Sequence, residues 1–265
     1  MIVRFAAIAI FLCGHALTVP SVNAAGMTAR EVTEQLFKSV EGEQPDLSGR
    51  DLMRLDLAGL DFKTATLIKS NLFGADLSHA DLSGSDLSGA NLDRVTLVST
   101  RFDGANLAGA SLLRPSAFTT LAAPSSEAPS FKAARMRGIK MFGRFTRGNF
   151  EGADLTDATC APFGKTGFIE EIWRTELSGA NFAGAQLQRA NFTHALLTFA
   201  NLRGANLKDI ILKNADLTGA DLTGADLTGA DVSGADLSGA KIAGVMGFQT
   251  LRGLATARNA GKVIR

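Results

Sequence analysis

The chain has 265 residues, 46% of them hydrophobic, with 28 Gly, 17 Phe, one Trp and no Tyr. That much apolar material builds a sizeable core and excludes an intrinsically disordered chain. Lys and Arg number 27 against 26 Asp and Glu, so no whole-molecule field points to a nucleic-acid or membrane partner.

The first segment, 1–24, reads as a signal peptide. A positive MIVR precedes an apolar run from Phe5 to Val19, and Val22, Asn23 and Ala24 place small residues where a signal peptidase needs them. Cleavage is expected after Ala24, with Ala25 the second choice, which predicts an exported protein, periplasmic or extracellular. The apolar run is shorter than a membrane span of about 20 residues, although an uncleaved anchor is the alternative. Cys13 follows Leu12, a poor match to a lipidation box. Cleavage removes Arg4 and Cys13, leaving 26 basic against 26 acidic residues and Cys160 as the sole cysteine. A single cysteine forms no internal disulfide, so stability must come from the core.

Residues 25–44 predict an N-terminal capping helix. Thr28 to Glu31 fit a capping box, and Val32, Leu36, Phe37 and Val40 recur at helical spacing over about 29–40. Covering an open end is the preferred role; binding a membrane or partner through the apolar face is the other.

A period of five then takes over. In the first array, 45–112, a large apolar residue recurs without a break from Leu47 to Leu112, all Leu except Phe62 and Phe102. Across the arrays the residue two before a centre is usually Ala, Asp or Asn mostly comes one before, and Ser, Thr or Ala one after, often followed by Gly. Residues 113–128, rich in Pro, Ser and Ala, predict a loop insertion. A degenerate array spans 129–160, centred on Phe131, Met136, Met141, Phe145, Phe150, Leu155 and Cys160, with one residue lost between Met141 and Phe145. A second insertion, 161–174 (APFGKTGFIEEIWR), carries Trp173. The second array, 175–244, runs from Leu177 to Ile242, and 245–265 predict a partly helical C-terminal cap with a basic surface.

Five matches neither the helical period of 3.6 nor the strand period of two. Both the centre and the small residue before it can face one interior only if the chain turns within every repeat. Short extended legs joined by turns then build a square tube, four quintets to the coil. Legs in successive coils pair as parallel strands about 4.8 Å apart. Asp, Asn, Ser and Thr fall outside or in turns, where they bond to nearby backbone. This is an all-β solenoid, and its 35 centres predict nearly nine coils.

The tandem A(D/N)LXX quintets, such as ADLTG at 215–219 and ANLRG at 200–204, resemble those of the pentapeptide repeat proteins, roughly over 45–244. The resemblance implies a right-handed quadrilateral parallel β-helix. It says little of function, because many members have no known activity. Some imitate duplex DNA and bind type II topoisomerases. Here the expected signal peptide and the balanced charge weigh against that role, which stands as the alternative.

Chemistry is sparse. His79 and His194 lie two residues after centres and point outward in separate arrays, and Cys160 takes a core position. No Walker, nucleophile-elbow or metal-ligand spacing occurs. The Asp run Asp216, Asp221, Asp226, Asp231 and Asp236 sends successive carboxylates to different sides, unlike a calcium-binding nine-residue roll. No cofactor, metal or catalytic residue is expected, and nucleic acid is not the expected partner. Two features exceed the scaffold. Lys132, Arg135, Arg137, Lys140, Arg144 and Arg147 fall within 130–148 with no acid among them, a docking site for an anionic macromolecule or else a solvated surface. Trp173, with Phe163, Phe168, Ile169 and Ile172, makes the second insertion a recognition loop or a flap over the tube wall. The predicted function is a non-catalytic exported scaffold that mediates protein–protein or other macromolecular interaction.

Overall fold

A computed structural model describes residues 26–39, 44–62, 64–117, 125–162 and 174–264. Helix α1, Ala29–Lys38, opens with the expected capping box. The Thr28 side chain accepts from the Glu31 amide, and the Glu31 carboxylate accepts from the Thr28 amide at 2.7 Å. Its contact face is one stripe wide. Val32 and Leu36 are buried, but Phe37 is 84% exposed, contrary to the inward position expected of it. Five residues after Val32 a helix has turned about 140° past the contact stripe, so Phe37 cannot share it. Val40 lies outside the described residues. Gln35 Nε2 donates to the Asp46 carbonyl at 2.8 Å and the Met27 amide to the Asp51 carbonyl at 3.1 Å, fixing α1 over the first coil.

Each quintet makes one leg and one turn. Leu47 N donates to the Thr66 carbonyl at 2.7 Å, and Thr66 N donates back to the Pro45 carbonyl at 2.8 Å, so each leg is tied to the next coil through a single parallel bridge. The turn closes through the Arg50 amide on the Leu47 carbonyl, and its third residue adopts a left-handed φ at position after position. The aspartate or asparagine before the centre accepts from the amide two residues on, as Asp226 does from Thr228 at 3.0 Å. The centres and the small residues before them are almost wholly buried.

Four faces run the length of the molecule, named here by their first rungs, Asp46, Asp51, Asp56 and Asp61; three carry unbroken ladders of bridges, and the Asp56 ladder is interrupted between Ser116 and Arg144. The Asp46 face has ten rungs, from Asp46 through Asn106, Arg135 and Gln186 to Met246. Ten exceeds the nearly nine expected, for two reasons. Ser116 pairs with Thr96 inside the segment predicted as a loop, and Ala117 is buried behind it. The C-terminal tail, expected as a cap, instead winds one more coil. Met246, Arg252, Arg258 and Ile264 pair with Asp226, Asp231, Asp236 and Lys241 at steps of six. Each of its first three legs carries a left-handed residue (Gly247, Gly253 or Asn259) followed by a 3-10 turn.

The insertions are spliced in without loss of register. A regular rung such as Asp81–Arg101 spans one coil, whereas Arg101–Ser130 and Asn149–Asn181 pair the same legs across a longer stretch of chain. Inside the Asp61 face a column of rings crosses both joins: Phe102 stacks on Phe131 at 5.1 Å, Phe131 on Phe150 at 5.0 Å and Phe150 on Phe182 at 4.7 Å. The lost residue is absorbed at Gly143. Strand β1, Ser111–Leu113, pairs in parallel with β2, Lys140–Phe142, and the chain then steps straight to Arg144. Gly143 has φ +147°, and a Cβ there would lie 2.9 Å from Pro115 Cδ, so only glycine permits the shortened leg.

Candidate interaction surface

Neighbours in sequence diverge around the tube, and neighbours in space lie a whole coil apart along the chain, as Asp51 and Asn71 do. The six basic residues of 130–148 are therefore strung around it. Lys132 stands at the corner after the Asp61 face and Arg135 on the Asp46 face. Arg137 takes the corner after that, Lys140 the Asp51 face, Arg144 the Asp56 face and Arg147 the corner following. They form a belt rather than a patch. Half of the belt pairs with acids one coil on: Lys132 with Glu151 at 3.2 Å, Arg144 with Glu176 at 3.0 Å, and Arg137 with Asp154 and Asp157 at 3.8 Å each. Arg135, Lys140 and Arg147 make no ion pair among the described residues. Arg135 does lie near Asp86: burial raises that carboxyl, but the Ser88 amide and hydroxyl, the Asn106 amide and Arg135 together hold it below the ordinary aspartate range. Trp173 lies outside the described residues.

His79 and His194 occupy different corners, one after the Asp56 face and one after the Asp51 face. Cys160 is buried, and burial pushes its thiol far up, so it is inert as a nucleophile. Among the described residues, no group of His, Cys, Asp and Glu could hold a metal ion. No described helix is long and apolar enough to cross a membrane.

Reading down a corner instead of along the chain exposes a grouping that the linear sequence hides. Met53–Arg54, Phe73–Gly74, Asp93–Arg94, Leu113–Arg114 and Phe142–Gly143 are consecutive steps of the corner after the Asp51 face. They are linked by the Arg54 amide on the Phe73 carbonyl, Arg94 on Leu113 and Arg114 on Phe142. Three arginines from different coils thus share one edge. Writing the sequence in rows of four quintets, with the insertions removed, is the signal that finds them.

A family model for pentapeptide repeats matches eight copies, over residues 70–112, 175–214 and 212–244. The chain carries pentapeptide repeats. The match omits 44–69 and the degenerate run, both of which carry the same bridges. Among solved structures, HetL is a pentapeptide repeat protein involved in heterocyst differentiation regulation from the cyanobacterium Nostoc sp. strain PCC 7120. It aligns over 91% of this chain and 100% of its own at 22% identity and a TM-score of 0.50. QnrB1, a plasmid-mediated fluoroquinolone resistance protein, aligns over 80% of this chain and 90% of its own at 20% identity, TM-score 0.31. A pentapeptide repeat protein of the Arabidopsis thaliana thylakoid lumen is 30% identical over 45% of this chain and 65% of its own, TM-score 0.20. No curated protein matches. The fold shared with HetL is the right-handed quadrilateral parallel β-helix, and this pentapeptide-repeat chain is an all-β solenoid of that kind.

Proposed function

We propose that this pentapeptide-repeat chain is an exported, non-catalytic scaffold whose rod presents its faces and corners to another macromolecule. The observation that carries the reading is the divergence of its outer side chains. Each leg points its polar residue away from the axis, so titratable groups spread around a square and do not converge on one reacting atom, as catalysis requires. What such a tube offers is long columns of side chains at fixed spacing, which suits recognition of an extended surface. Export is supported by the n-region, apolar run and small residues of 1–24. Arg135, Lys140 and Arg147 of the belt, with Trp173, are candidate contacts for an anionic partner.

Cell fractionation with N-terminal sequencing tests this reading. An exported protein beginning at Ala25 is expected. A cytoplasmic chain that still begins at Met1 would overturn export and favour the topoisomerase-binding alternative.

A further inference from the structure

We propose that the corner after the Asp51 face, over its first four rungs, is a docking site for an acidic amphipathic helix. The inference rests on reading the rod as a docking scaffold and names a partner chemistry for it. Two parallel stripes run down this corner. The first is apolar: Met53, 42% exposed, then Phe73 and Leu113, both half-buried, with only Asp93 interrupting. The second, one residue on, is cationic: Arg54, Arg94 and Arg114, all exposed. The interrupting acid is already engaged. Asp93 Oδ1 accepts from the Ser111 hydroxyl at 2.6 Å and the Leu113 amide at 2.9 Å.

The arginines are also preorganised. The Arg94 guanidinium lies over the Phe73 ring, 5.5 Å from its centroid, and the Arg54 stem passes over Gly74, whose Cβ would lie 3.4 Å from Arg54 Cγ. Neither Arg54 nor Arg94 makes an ion pair among the described residues, in a molecule where Arg101, Arg189 and Arg203 all do.

The spacing selects the partner. Rungs rise about 4.8 Å and an α-helix rises about 5.4 Å per turn. A helix laid along the corner therefore drifts only about 2 Å over four turns, and apolar side chains on its first, second and fourth turns meet Met53, Phe73 and Leu113. Acids on the flank of that stripe meet Arg54, Arg94 and Arg114, whose planar forks suit carboxylates. A partner without apolar groups would leave the first stripe unused.

The test uses the full chain and a fluorescent four-turn peptide of Leu and Glu, with Leu at i, i+3, i+4 and i+7 spacing and Glu on the flanks. Two further probes are its Glu-to-Lys counterpart and a polyglutamate of the same length. Anisotropy titration is expected to show binding of the Leu/Glu peptide only. Affinity should fall at least tenfold for Arg54→Asn/Arg94→Asn, since Asn suits the left-handed backbone at both sites, and severalfold for Phe73→Ala. A control pair in the second array, Arg203→Asn/Lys208→Asn, should leave it unchanged. Equal binding of polyglutamate, or equal loss in that control, would overturn the proposal. Loss in Arg135→Asn/Arg147→Asn without loss in the corner variants would also sink the corner while leaving the scaffold reading intact.

Discussion

At the scale of single residues, the tube wall states its own rules by its exceptions. The position two before a centre is inward at nearly every step after the first coil, and Ala fills it at most of them. Where a hydroxyl stands there instead, two outcomes are seen. Thr100 Oγ1 donates to the Leu77 carbonyl at 2.8 Å and Thr175 Oγ1 to the Cys160 carbonyl at 2.5 Å, so both threonines are satisfied although buried. Ser70 and Ser85 are equally buried, yet their hydroxyls find no partner among the described residues. A buried unpaired hydroxyl is destabilising, and alanine is the residue the rest of the wall uses. Ser85→Ala is therefore expected to raise stability by about 1 kcal/mol, whereas Thr100→Val should lower it by a similar amount by losing a bond to the Leu77 carbonyl, which keeps the Ala80 amide as its other donor. Urea denaturation followed by circular dichroism reads both. A loss of stability in Ser85→Ala would show that the hydroxyl is paired after all.

At the scale of the element, the unit is the leg, and its stability depends on the leg above and the leg below. Regular arrays stack leucine on leucine, but the joins at the two insertions stack phenylalanine. Phe150 touches Phe131 below and Phe182 above and meets Phe145 edge-on at 6.4 Å, so it couples the degenerate run to the second array. Phe150→Ala is expected to cost roughly 3–5 kcal/mol and to split thermal unfolding into two steps. Leu222→Ala, inside a regular array, should cost about 2–5 kcal/mol with one step. A single, equally shifted transition in both variants would mean the ring column does not hold the arrays together. The period itself was legible because every quintet repeats the same choice, and the degenerate run keeps the offset between its small and large positions although Asp154–Leu155 is its one remaining Asp-Leu pair. The six-residue legs from Met246 were not, since their turns carry an extra residue and no repeated letter marks them. Phe37 falls off the contact stripe because each helical residue steps 100°, so Leu36 and Phe37 cannot both face the coil. The belt from Lys132 to Arg147 looks like one cluster in the sequence because adjacency along the chain is not adjacency on the tube. The Arg54–Arg94 column is hidden in the linear sequence for the same reason.

At the scale of the whole molecule, balanced charge conceals an ordered arrangement in which carboxylates serve twice. In the second array Arg203, Lys208 and Lys213 each reach an aspartate of the next coil: Asp221 at 3.3 Å, Asp226 at 3.2 Å and Asp231 at 3.4 Å. The other oxygen of each carboxylate accepts from its own turn amide, at Thr223, Thr228 and Ser233. The Thr228 hydroxyl bond holds Asp226 below the ordinary aspartate range, with burial opposing and the Thr228 amide and Lys208 assisting. Asp236 is held down by the Asn259 amide group, against burial, with the Ser238 amide and Arg258 helping. A carboxyl depressed in the folded state contributes stability that is present above its unfolded value, about 3.9, and is lost as pH falls through the folded value. The urea midpoint is therefore expected to hold level from pH 7 to pH 5 and to fall between pH 5 and pH 3. The cations of these pairs are about half exposed, and exposed pairs contribute little beyond about 1 kcal/mol each. Raising salt to about 1 M, where screening acts within about 3 Å, should consequently move the midpoint at pH 7 much less than acid does. The turn bonds, which salt does not screen but protonation breaks, are what separates the two effects. Equal midpoints at pH 3 and pH 7 would show that the aspartates carry no such double role, and a fall in salt as large as the fall in acid would assign it to the ion pairs alone.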